Sequence, residues 1–206
     1  MNILAVDCCL KFTGIALMLN DSVIDSMSED LGRLQSRELP LMTEKIISRN
    51  NITFSDIDYI ALTNGPGYFT GIRVGAAYST GLAYACGVNI IPVSSLEMLR
   101  YDYNSSPEKV LVLVYAGHGF VYASCKNFLT EGEYSHSQII SWLKENPDSK
   151  IISDDPEKIN LSFDVNISRV RPDVISLCKI AREKINLAVS PLELKILYYR
   201  APQGVN

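Results

Sequence analysis

The sequence predicts an α/β fold built as two similar halves, each a β-meander followed by α/β crossovers. Two observations carry this expectation. Short apolar runs joined by tight turns open the chain and open it again from Val110, and between them the hydrophobic period switches from that of strands to that of helices. With 206 residues, 47% hydrophobic and 20% charged, the chain holds enough apolar surface for one large domain or two small ones and lacks the polar bias of disorder.

Asn2 to Asp7 is an apolar run ending in an acid. The turn Lys11 to Gly14 follows, Ile15 to Leu19 is the second run, and Ser22 to Met27 adds a third strand after Asn20-Asp21. Leu34 to Arg49 has helical spacing, with Leu39, Met42 and Ile46 on one stripe and Leu34 and Leu41 beside it; Pro40 inside it predicts a kink or a late start. Ile57 to Thr63 reads as a strand, GPGYFTG as a loop, Ile72 to Cys86 as a helix and Asn89 to Val93 as a strand. Ser94-Ser95, followed by Glu97 and Met98, predicts an N-cap and a short helix.

The second half begins like the first. Val110 to Val114 and Phe120 to Cys125 are apolar runs around a glycine-rich turn, Tyr115 to Gly119. A helix over Ser137 to Glu145, a strand over Lys150 to Ser153, a helix over Asp173 to Lys184 with Pro172 in its first turn, and a closing segment Leu192 to Arg200 complete it. Meander, helix, strand, helix thus occurs twice, over 1–103 and 104–206. Two unrelated α/β domains would give a similar pattern, but a duplicated meander with crossovers is the arrangement of the actin-like (ribonuclease H-like) fold, whose halves face each other across a cleft.

The most informative stretch is Gly65-Pro66-Gly67-Tyr68-Phe69-Thr70-Gly71-Ile72-Arg73-Val74-Gly75, between a strand and a helix. Exposed N–H groups at a helix start can hold an anion, which is one reading. The glycine spacing is not that of a dinucleotide site, no Lys-Ser/Thr pair follows, and the next strand ends in Ile91-Pro92-Val93-Ser94 without the required acid. The other reading is a tight strand-to-helix turn with glycines at positive φ.

No acid or base lies between Arg73 and Glu97, yet Ser79, Thr80, Gly81 and Asn89 argue against a membrane span. On a helical wheel Val74, Tyr78, Leu82 and Ala85 form a bulky stripe and Ile72, Ala76, Ser79, Thr80 and Ala83 a small-residue face, so the helix is expected to be covered on both sides. One cover is the first sheet. The other is a helix bundle with another protein through Leu34, Leu39, Leu41, Met42, Ile46, Ile72, Ala76, Ser79, Thr80 and Ala83, or else contacts within the chain.

The five cysteines, Cys8, Cys9, Cys86, Cys125 and Cys178, are scattered without metal-ligand spacing; they read as reduced thiols acting as small buried hydrophobes, with a redox or metal role as the alternative. The opening MNILAVDCCLKFTG has no signal-peptide pattern, so a cytoplasmic protein is expected. A net charge of -4 argues against a stand-alone RNA-binding module, and Arg169 and Arg171 read as a solvated loop.

The run Gly65 to Gly75 resembles the G-P-G-x-F-T-G-[LI]-R-[IV]-G signature of the TsaB family. Asp7 at the end of the first strand, the Leu39-Pro40 helix, Pro92-Val93-Ser94-Ser95-Leu96-Glu97 and Tyr198-Tyr199-Arg200 match as well. The chain departs from the family at two turns, with Tyr115-Ala116-Gly117-His118-Gly119 in place of Asp-Ala-Arg and Asp7-Cys8-Cys9 in place of Asp-Thr-Ser. The resemblance implies a subunit of the machinery that puts threonylcarbamoyl on N6 of adenosine 37 of tRNA. A TsaD-like subunit would hold the metal and perform the transfer, a TsaE-like ATPase would act through the complex, and tRNA would be met only indirectly. This chain would be the dimerisation partner, a homodimer when alone, with no catalytic residue, metal or cofactor of its own.

Two enzyme readings compete with that role, an actin-fold nucleotide-dependent phosphotransferase and a peptidase-like hydrolase. The first would use Asp7 as a magnesium acid, against its reading as a strand-end carboxylate bonded to its own turn. The second needs a nucleophile beside a base, and His118 and His136 lie near no such signature. Their separation also does not fit a metal-binding histidine pair on one helical face.

Overall fold

The computed structural model describes residues 1–103, 109–162 and 164–199. Residue 104, where the second half is expected to begin, and Arg200, the expected end of the closing segment, lie outside the described residues. The first sheet is formed by β1 (Ile3–Asp7), β2 (Thr13–Leu19), β3 (Ser22–Glu29), β4 (Tyr59–Thr63) and β5 (Asn89–Val93), in the order β3-β2-β1-β4-β5. The second is formed by β6 (Val110–Gly117), β7 (Phe120–Cys125), β8 (Leu129–Ser135), β9 (Lys150–Ser153) and β10 (Ile167–Arg169), in the order β10-β9-β6-β7-β8. Read from the meander edge, the two orders are the same. In each sheet the meander is antiparallel and the later strands are parallel, which is the duplicated actin-like (ribonuclease H-like) fold.

Helices α1 (Gln35–Arg49) and α2 (Phe69–Cys86) cover one face of the first sheet, where Leu4 and Val6 of β1 meet Leu39, Ile46, Ala76 and Ala83. Helices α3 (Ser95–Arg100) and α5 (Val174–Glu183) lie between the sheets, with Ile3 and Ala5 on one side and Val110, Val112 and Val114 on the other. The far face of the second sheet packs Leu111 and Leu113 on Ile139 and Leu143 of α4 (His136–Glu145). Because both faces of β1 are covered, the strand is buried from end to end and reads as a continuous apolar run.

Several boundaries differ from the sequence reading. Helix α1 starts at Gln35 and continues through Pro40, whose missing N–H falls on the exposed side of the helix together with Ser36, and Leu34 belongs to a preceding 3-10 turn, Gly32–Leu34. Helix α2 starts at Phe69, so Phe69, Thr70 and Gly71 are helical and only the GPG portion is a turn; Gly87 closes the helix at φ 70. Pro172 precedes the N-cap of α5, which is Asp173, instead of standing in the first turn. Strands β8 and β10 are additions, and β6 extends to Gly117, leaving His118 and Gly119 as the turn.

Candidate functional site

The GPG turn is the junction of the first half. Strand β4 delivers Asn64 and Gly65, the latter at φ 106, and an added Cβ on Gly65 would stand 2.9 Å from the Leu197 carbonyl oxygen. The Gly65 carbonyl accepts from the Ser95 N–H at 2.9 Å and the Pro66 carbonyl from the Ser95 hydroxyl, which ties the turn to the start of α3. Leu197 N–H donates to Asn64 O at 2.9 Å, so the closing segment straps the same turn.

The other glycines of the motif seat α2 on the β1–β2 loop. A Cβ at Gly67 would lie 2.1 Å from Cys9 O and one at Gly71 only 1.9 Å from Cys8 O, while Tyr68 N–H donates to Cys9 O at 2.8 Å. Carbonyl oxygens of the chain itself therefore occupy the mouth of α2, where they answer the helix dipole and repel a phosphate. Of the two readings of the motif, the close-packed turn is the one this geometry carries. Outside it, Arg73 lies over the Phe69 ring at 3.7 Å and donates to the Tyr198 hydroxyl at 3.3 Å, and Thr70 is exposed.

Asp7 is buried, and its Oδ1 accepts from Cys9 N–H at 3.0 Å and from the Thr63 hydroxyl at 2.6 Å. This is the strand-end carboxylate bonded to its own turn. Burial, ahead of all else, raises its pKa from 3.8 to about 6; the two bonds pull it down and the nearby Asp154 adds to the rise. The folded chain holds this proton at pH values where the unfolded chain has released it, so the stabilisation is full below about pH 4 and is lost as pH rises through about 6. The difference amounts to about 3 kcal/mol. Urea unfolding of wild type and Asp7→Asn is expected to show the variant gaining about this much relative to wild type between pH 4 and pH 7. Parallel pH profiles would refute the account. Burial first, then the Asp7 charge, also pushes the Cys8 and Cys9 thiols up, and all five cysteines are free.

In the second half, Asp154 and Asp155 follow the end of β9. Lys11 N–H donates to Asp154 Oδ2 at 3.1 Å and Lys11 Nζ to Asp155 Oδ1 at 3.0 Å. Asp155 also meets Lys158 at 3.2 Å, Arg169 at 3.7 Å and the Tyr68 hydroxyl at 3.2 Å. Burial works against the Asp155 charge but is outweighed by Lys11 and Lys158, which hold its carboxyl below the ordinary range; burial pushes the Tyr68 phenol up to about 12. Lys11 and Tyr68 of the first half are thus latched to Asp154 and Asp155 of the second. Sequence reasoning missed this latch, which includes Arg169; as expected that residue is solvent-exposed, but it ends β10 instead of lying in a loop. The signal for the latch was present, since Ser153-Asp154-Asp155-Pro156 follows β9 as Thr63-Asn64-Gly65-Pro66 follows β4.

The expected partner surface needs correction. Leu39, Met42, Ile46, Ile72, Ala76, Ser79 and Ala83 are buried in the chain's own core and Thr80 is half-buried; Leu34 and Leu41 alone of that set are exposed. The small-residue face of α2 turns inward because, on the same side, Gly71 must approach the Cys8 backbone and Gly75 the Cys8 side chain. The outward face carries Arg73, Ala77, Gly81, Ala85 and Tyr84, the last 71% exposed, with Val74, Tyr78 and Leu82 half-buried on its flank. Leu41 of α1 is 54% exposed. Among the described residues no group of three or more His, Cys, Asp or Glu could hold a metal ion, and no helix is long and apolar enough to cross a membrane.

A family model described as TsaD: tRNA N6-adenosine threonylcarbamoyltransferase matches residues 27–141. The tRNA threonylcarbamoyladenosine biosynthesis protein TsaB of Buchnera aphidicola subsp. Schizaphis graminum is 29% identical over 151 residues, covering 72% of this chain and 68% of that protein. TsaB of Escherichia coli (strain K12) is 30% identical over 124 residues, 59% of this chain and 53% of that protein. A crystal structure from Pseudomonas aeruginosa, described as an uncharacterized protein with similarity to peptidase YEAZ, covers 97% of this chain and 99% of its own with TM-score 0.78 at 22% identity, and so shares the fold.

Proposed function

The chain belongs to the family of that threonylcarbamoyltransferase model, on its TsaB side, and from this premise we propose that it is a non-catalytic subunit in tRNA threonylcarbamoyladenosine biosynthesis that binds and supports a TsaD-like catalytic subunit. One observation carries the reading. The outward side of α2 has no charge from Val74 to Cys86, although it ends in exposed Tyr84 with exposed Leu41 on the neighbouring helix. A helix in water normally carries a polar face, so a bare one calls for a cover. The occupant is the TsaD-like subunit; a second copy of this chain covers the face when that subunit is absent. A TsaE-like ATPase joins through the complex, and tRNA is met through the partner, in keeping with the net charge of -4.

The filled mouth of α2 and the Lys11–Asp155 latch support the non-catalytic part of the reading. Calorimetric titration of the chain alone with ATP and magnesium is expected to give no micromolar binding, and turnover assays no ATP hydrolysis. Tight binding or turnover that Asp7→Ala removes would overturn the scaffold role in favour of the phosphotransferase. The association itself is tested by light scattering: a dimer alone, converting to a complex with the TsaD-like protein of the same organism when the two are mixed. A monomer that forms no such complex would sink the assignment.

A further inference from the structure

The two sheets share one topology, so the strands of one half have counterparts in the other: β6 and β7 correspond to β1 and β2 and β9 to β4, with α4 in the place of α1. In the first half β4 leads into the GPG turn and the 18 residues of α2, whose glycines close over the β1–β2 loop. In the second half Pro156 again follows the strand, but a single 3-10 turn, Pro156–Lys158, stands where α2 would be. The β6–β7 turn is left uncovered on that side. A cavity of about 430 Å³ opens there, lined by Tyr115, His118, Gly119, His136, Lys158 and Asn160.

We propose that this cavity binds a small anion through a phosphate or carboxylate group. It gathers both histidines of the chain, an ammonium group and an amide against a tyrosine wall, and no acid is among its lining residues. Imidazole, ammonium and amide all supply N–H donors. Lys158 Nζ gives bonds to the Tyr68 hydroxyl at 2.9 Å and to Asp155 at 3.2 Å, which leaves one of its three protons for a ligand. The His136 backbone N–H donates to Gly119 O at 2.9 Å, so the start of α4 and the turn are held as one unit, and the ring Nε2 of His136 is buried without a hydrogen-bond partner. An unpaired buried nitrogen is a standing cost that a ligand or a small ring rotation toward one relieves. The volume lies within the roughly 300–1,000 Å³ of small-molecule sites.

The chain has two histidines and both line this cavity, so their imidazole NMR signals report on it directly. The full chain is titrated with inorganic phosphate and, separately, with succinate, each against sodium chloride at matched ionic strength. Saturable movement of both histidine signals is expected: with phosphate if the ligand group is a phosphate, with succinate if it is a carboxylate. His118→Ala, at an exposed turn position, is expected to weaken binding about tenfold, the loss of one hydrogen bond to an anion. Asn160→Trp, which fills the mouth, should remove it. No saturable movement with either anion, movement equal to that caused by chloride, or unchanged affinity in both variants would overturn the site.

Discussion

Combining Tyr84→Glu with Leu41→Asp is expected to abolish association with a TsaD-like subunit, weakening it by at least about a thousandfold, or ~4 kcal/mol. Each substitution places a carboxylate in a surface that the complex would dry, and an uncompensated buried charge costs several kcal/mol. Tyr84 and Leu41 are 71% and 54% exposed in the free chain, so the variant should keep its circular dichroism and lie within about 1 kcal/mol of wild type in urea. Ala83→Arg is the contrasting case. Its position is fully buried between α2 and the first sheet, and a guanidinium there should unfold the chain before any partner is met. Size-exclusion chromatography with light scattering reads both results; a folded double variant that still forms the complex would move the interface off this face.

That pair of outcomes also marks what the sequence could carry. The bare stretch between Arg73 and Glu97 announced a helix without a strongly polar face, and a helical wheel divided it into two faces. Which face turned inward depended on Gly67 and Gly71 meeting the backbone of Cys9 and Cys8 and on Gly75 meeting the Cys8 side chain, contacts between segments far apart in the chain that periodicity does not encode. Strands β1, β4 and β6 were legible because both faces are covered and every residue along most of their length is apolar. Strand β8 was not, since LTEGEYS lies at a sheet edge, half-exposed, and has the composition of a loop. The latch of Lys11 on Asp155 joins groups 144 positions apart. Only the internal repeat pointed to it, through the matching prolines after β4 and β9.

Gly71→Ala is expected to destabilise the chain by about 4 kcal/mol or more, enough to leave much of it unfolded at 37 °C. The added methyl would stand 1.9 Å from Cys8 O and 3.1 Å from its carbonyl carbon, and these are backbone atoms that no rotamer change can move aside. Relief requires shifting the β1–β2 loop, which is held by the Asp7 bond to Cys9 N–H and by Gln35, whose amide donates to Cys8 O at 3.3 Å and to the Thr13 hydroxyl at 2.9 Å. Helix propensity pulls the other way, because alanine is better than glycine inside α2 by about 1 kcal/mol. That gain is a fraction of the overlap cost, so it does not change the sign. Gly81→Ala isolates it. The same substitution nearly three turns further along α2 meets nothing within 4 Å, and it should stabilise the chain by about 0.5–1 kcal/mol. Urea unfolding of both variants against wild type, with the slope checked for constancy, separates the two terms. If Gly71→Ala were as stable as Gly81→Ala, the glycines of the motif would not be there to seat the helix on the loop, and the mouth of α2 would be open to a ligand after all.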